Sequence, residues 1–136
     1  MKKAIWIVVA LIAVVLLLLY LTGDAQTASV NLIWTAVGDD GNIGTAAHYD
    51  LRRSTDSLQL LNSWNSCEGG IITLIPSISG TTENWTINNL PTNTKIFFSV
   101  KAIDEAGNIG DIGNILGITT PDFDKPAPIL DLRPQL

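Results

Sequence analysis

Cysteine, histidine and basic residues are scarce in this sequence. Cys67 is the one cysteine, so no disulfide can form within the chain. A domain without that staple must be held by its own apolar core. The thiol is then either a small buried hydrophobe or a link to a second chain. His48 is the one histidine. No Ser-His-Asp arrangement beyond that single imidazole, no Cys/His zinc cluster and no glycine-rich phosphate loop can be assembled. The composition therefore points away from an enzyme.

Positive charge is short as well. Eight basic residues face thirteen acidic ones, for a net charge of −5. Beyond the N-terminus the basic residues are scattered: Arg52, Arg53, Lys95, Lys101, Lys125 and Arg133. A nucleic-acid surface needs them clustered, and none is expected here.

Apolar residues are abundant, but unevenly spread. Met1-Lys2-Lys3 precedes the uncharged run AIWIVVALIAVVLLLLYL from Ala4 to Leu21. Signal-peptide cores span about 7–15 residues and bilayer-spanning helices about 17–25, and this run falls in the second range. Trp6 and Tyr20 stand near its ends, where amphipathic rings favour the headgroup region. The expectation is a single-pass signal anchor over residues 1–25. Lys2 and Lys3 stay cytoplasmic, and the rest lies outside, in a periplasm or at a cell surface. The alternative is secretion after cleavage near Gly23-Asp24-Ala25.

From Ala28 the texture changes to short β-branched and aromatic stretches broken by Gly, Asn and Asp, the pattern of strands and turns. Val30, Leu32 and Trp34 alternate with polar or outward positions, and Tyr49 to Arg53 forms a second alternating stretch. Ser57 to Trp64 predicts one short helical turn, with Ser57 as N-cap, Leu58 and Leu61 facing inward and Trp64 a further candidate for that face. Further strands are expected at Ile71 to Ile75, around Trp85 and Ile87, from Ile96 to Ile103, and from Asn114 to Thr120. About six strands without a long amphipathic helix predict two packed antiparallel sheets.

Two blocks of residues carry a family resemblance. VNLIWTAVGDDGNIGTAAHYDLRRS resembles the B strand, BC loop and C strand of a bacterial-style fibronectin type III domain, with Trp34 as the core tryptophan and Tyr49 as the C-strand aromatic. LPTNTKIFFSVKAIDEAGNIGDIGNILGITT resembles the stretch from the EF corner through strands F and G. The resemblance implies a fibronectin type III or immunoglobulin-like β-sandwich over residues 26–120. Ile96 replaces the corner tyrosine, and Arg53 stands where a second C-strand tyrosine is usual. Only Gly23 to Ala28 separate the apolar run from strand B, leaving no clear strand A. Chain entry directly into strand B would turn the BC and FG loops away from the membrane.

Those loops hold the candidate site residues. Asp39, Asp40 and Asn42 should share a pole with Asp104, Glu105, Asn108 and Asp111. Their oxygens are of the kind calcium prefers, which makes calcium a conceivable ligand. The spacing fits no calcium-loop motif, and tight turns call for the same residues. Asn84-Trp85-Thr86 fits the N-glycosylation sequon.

The tail over residues 121–136 holds Pro121, Pro126, Pro128 and Pro134. It reads as a loosely packed extension, and DKPAPILDLRP also resembles a linker and strand A. Filling the chain's own gap in strand A's usual direction would strain the connection. Ile129, Leu130 and Leu132 are therefore candidates for donation to a neighbour's strand B edge, the self-associating alternative; a partner protein's strand is the third possibility. The leading expectation is an extracytoplasmic surface module, as in cell adhesion, that contacts protein or glycan partners.

Overall fold

The computed structural model describes residues 26–124 and 126. The expected anchor with Trp6 and Tyr20, and the donor residues Ile129, Leu130 and Leu132, lie outside the described residues. Among the described residues, no helix is long and apolar enough to cross a membrane.

Among the described residues six strands appear in chain order: β1 (Ala28–Thr35), β2 (His48–Ser54), β3 (Glu68–Ile71), β4 (Thr82–Leu90), β5 (Lys95–Ile103) and β6 (Leu116–Thr119). A single-turn helix α1 (Ser57–Asn62) and a 3-10 turn (Trp64–Ser66) lie between β2 and β3. β1 pairs with β4, and the second sheet runs β3-β2-β5-β6; every pairing is antiparallel. The described residues are mostly β, built from two antiparallel sheets.

The sheets share one core. Ala28, Leu32 and Leu90 from the first pack with Leu51, Ile96 and Phe98 from the second, and Val30, Trp34, Trp85, Ile87 and Val100 close around them. The alternation read in β1 holds: Ala28 and Leu32 are buried while Ser29, Asn31 and Ile33 face out. Trp34 meets Tyr49 across the sheets edge to face, with ring centroids 5.2 Å apart. A register shift separates the Ala28–Leu90 and Val30–Ile87 pairs. The extra residue lies on β4, where Asn89 takes a left-handed conformation with φ of 59°.

Two local expectations are corrected. The strand expected at Ile71–Ile75 runs instead over Glu68–Ile71, through the Gly69-Gly70 pair. A β-carbon at Gly69 would stand 2.2 Å from the Leu51 carbonyl oxygen, so glycine is what lets β3 lie against β2 there. In α1 the N-cap is Asp56, whose carboxylate accepts from the Leu58 amide, and not Ser57. Leu60 is the residue it buries, whereas Leu58 and Leu61 are exposed.

Candidate functional site

β2 is covered on both faces, and a polar cluster sits on the side away from the core. Asp50 and Arg52 project from that face and form an ion pair of 3.0 Å. Trp64 donates from Nε1 to Asp50 Oδ2 at 2.7 Å. Arg52 also donates to the Trp64 and Cys67 carbonyls. Lys101 stacks 4.8 Å from the Trp64 ring centroid. These contacts fasten the α1 region onto the sheet. Cys67 is buried beside them, with its thiol directed at the Ser63 carbonyl. The cluster is scaffold, and its members are satisfied by one another.

Three loops gather at one pole of the sandwich. The β1–β2 loop (36–47) closes on itself, with the Gly38 amide donating to the Gly41 carbonyl and the Asp39 amide to the Ile43 carbonyl. A β-carbon at Gly38 would meet the Ile43 backbone at 2.2 Å, so the loop requires glycine there. The β3–β4 loop (72–81) joins it through the Ser79 amide and the Gly44 carbonyl. Glu83, buried at the start of β4, accepts from the Ser77 amide and pins that loop down. The β5–β6 loop (104–115) folds back on β5 through an isolated bridge between Ile103 and Ile109, and the Ala47 amide of the β1–β2 loop donates to the Ile103 carbonyl.

The acidic residues meet where these loops touch. Asp39 faces Glu105, with Asp40 and Asp104 nearby. Hydrogen bonding to Glu105, loss of solvation and repulsion from the neighbouring carboxylates push the Asp39 carboxyl up to about 6. Its Oδ1 is sealed from solvent without a hydrogen-bond partner, which adds to the cost of charging the group. Asp104 is held below the usual carboxylate range by the side chain and backbone amide of Asn108, each donating at 2.7 Å.

The structure thus brings together Asp39, Asp40, Asp104 and Glu105, with Asn108 committed to Asp104. Asn42 is exposed at the loop tip, and Asp111 lies away on the lip of a groove. Among the described residues, no group of three or more His, Cys, Asp or Glu side chains is arranged to hold a metal ion. Around the acids stand exposed apolar side chains that the sequence reading overlooked: Ile43 at 76% exposure, Ile78 at 64% and Ile109 at 63%. An isoleucine in a turn-rich loop gives no periodic signal, so only the folded loops show that the three share a pole.

The remaining residues singled out in the sequence are structural or exposed. His48 opens β2 at the surface. Asn84 and Thr86 both face outward from β4, and the Thr86 hydroxyl donates to the Asn31 side chain. The sandwich also has two open mouths. One, of about 460 Å³, lies between β1 and the segment Gly110–Leu116; the other lies between β3 and β4.

No protein-family model matches the chain. Similarity is found to calcium-activated chloride channel regulator 1 of several mammals. The Mus musculus protein is 32% identical over 106 residues, covering 73% of this chain and 12% of that protein. The Homo sapiens protein is 34% identical over 98 residues (66% and 10%), and the Equus caballus protein 33% over 112 residues (72% and 12%). The chain therefore spans about a tenth of the length of the curated relatives it matches.

Proposed function

We propose that this chain is a non-enzymatic, extracytoplasmic interaction module with a fibronectin type III-like sandwich, and that its three-loop pole contacts a protein partner. The observation that carries the reading is the pole itself. Ile43, Ile78 and Ile109 stand exposed around four carboxyl groups, on loops fixed by backbone hydrogen bonds and by buried Glu83. Exposed apolar side chains set around charged ones, on loops held by hydrogen bonds, suit a protein-binding surface. The acids favour a partner with basic residues at its rim.

The relatives support a modular role. The matched stretch is about one sandwich long and recurs within much longer proteins, as a self-contained domain does. Their name is that of a channel regulator. The lysines preceding an apolar N-terminal run support a membrane tether with the loop pole directed outward.

A protein partner, rather than a glycan, follows from the exposed isoleucines, which offer no hydrogen bonds to sugar hydroxyls. The test is co-purification of the tagged full chain in mild detergent from its own host. Replacing Ile43 and Ile109 with serine should release the partner while the melting temperature stays unchanged. Retention of every co-purifying protein by that variant would exclude the pole as the contact.

A further inference from the structure

The outer face of the two-stranded sheet holds a motif that the loop pole does not use. Asn84 is the one asparagine in the chain with Ser or Thr two positions on. In an extended strand, residues two apart share a face. β4 therefore turns Asn84 and Thr86 outward together and keeps Trp85 between them against the core. Both outward residues are exposed, so the folded sheet has room for a bulky group on the Asn84 amide.

The surroundings of Asn84 lack any protection of their own. No charge stands among Asn31, Ile33 and Thr35 of β1 or Thr82, Asn84 and Thr86 of β4, the outward residues of this part of the sheet. Ile33 lies directly opposite Asn84 in the ladder and is 71% exposed. Among the described residues β1 pairs with β4 alone, which leaves its second edge open. The strand itself, ASVNLIWT, contains no charged residue, no proline and no glycine. Sheets usually guard an open edge with lysine, proline, a bulge or a covering segment, because a bare edge pairs with other chains. β1 has no lysine or proline, and the extra residue at its register shift lies on β4.

We infer that Asn84 carries an N-linked glycan, which lies over Ile33 and shields the open edge of β1. The inference rests on the extracytoplasmic placement proposed above. The donor class is an oligosaccharide bound through its anomeric carbon to a polyprenyl diphosphate. Asn84 Nδ2 bonds to that carbon as the carbon–oxygen bond to the diphosphate breaks. The amide gives up one proton and the diphosphate leaves with the bonding pair, so nothing is oxidised or reduced. Transfer precedes pairing of β4 with β1, since the folded ladder takes up the Asn84 backbone and commits the Thr86 hydroxyl to Asn31. Neighbouring strands lie about 4.8 Å apart, so the first sugar overlies Ile33 and the following ones reach the edge. The link is covalent, and the apolar face of a sugar ring rests on Ile33 without needing hydrogen bonds from it.

The test begins with the full chain isolated from the membranes of the cells that produce it, and mass spectrometry of the peptide holding Asn84. A sugar mass is expected on Asn84, absent from Asn84→Gln and Thr86→Ala and retained in Thr86→Ser, which keeps the motif. Protease applied from the outer side of the membrane separates two failures. A cleaved domain with an unmodified Asn84 overturns the glycan and leaves the placement standing. A protected domain overturns the placement and the glycan with it. The shield is read by light scattering in detergent. Asn84→Gln should self-associate where wild type is monodisperse, raising the mean mass about twofold or more, and adding Ile33→Lys on the edge strand should reverse this. An Asn84→Gln chain as monodisperse as wild type overturns the shield.

Discussion

Truncating Asp50 should be among the most damaging single changes away from the core. The residue is 7% exposed, and its carboxylate serves both Arg52, at 3.0 and 3.2 Å, and the Trp64 indole, at 2.7 Å. Asp50→Ala removes two charge-assisted contacts, each worth about 1.5–3 kcal/mol when buried. Arg52 keeps its hydrogen bonds to the Trp64 and Cys67 carbonyls and is partly open to water, which lowers the cost of losing its counter-charge. A loss of about 2–4 kcal/mol is expected. For a domain of this size that corresponds to a fall of roughly 10–20 °C in melting temperature. Asp50→Asn keeps an acceptor for the indole and should cost about half as much. Calorimetry of both variants, with Trp64→Phe to complete a double-mutant cycle, separates the ion pair from the indole contact. A change below about 0.5 kcal/mol for Asp50→Ala, the range of an ordinary surface substitution, would refute the argument that this cluster fastens α1 to the sheet.

Other expectations follow from the same structure. Asp39 keeps its proton up to about pH 6 in the folded state, whereas an ordinary aspartate releases it near 3.8. The native state therefore gains stability as pH falls from about 6 to about 4 and loses that gain as pH rises through 6; denaturation across this window should show it, and Asp39→Asn should flatten it. Below that window the lowered Asp104 works in the opposite sense, because protonation breaks its bonds from Asn108. Leu90→Ala empties a fully buried position and should cost about 2–5 kcal/mol in chemical denaturation. Gly38→Ala forces a β-carbon against the Ile43 backbone, so the loop must shift. Its signature should be chemical-shift changes at Asp39 to Ile43 while the β2–β5 ladder stays in place.

Much of the frame could be read from periodicity. β1 and β5 follow the two-residue repeat, and their inward sets, Leu32 with Trp34 and Ile96 with Phe98, are the observed core. The meeting of the β1–β2 and β5–β6 loops was legible too, since alternating strands in antiparallel order return those turns to one end. The misreadings have separate causes. The strand at Glu68–Ile71 was expected further on, at Ile71 to Ile75, because local propensity cannot register the close approach of β3 to Leu51 at Gly69. Leu58 and Leu61 looked like core because a single helical turn fixes no face by itself; Leu60 is inward because the Asp56 cap sets the phase. Asp50 gave no warning of burial, since the layer that covers it comes from residues 57–67, on the far side of a turn. The isoleucine rim was invisible for the same reason, its members being distant in sequence.

Photo-crosslinking in producing cells tests the central claim most directly. A photoreactive residue is placed at Ile109 on the loop pole, at Ile71 on the exposed flank, or at Thr92 on the opposite pole. The account predicts a discrete protein adduct from Ile109, lost when Ile43 becomes serine, with little from the other two positions. Adducts from Ile71 or Thr92, with none from Ile109, would contradict it.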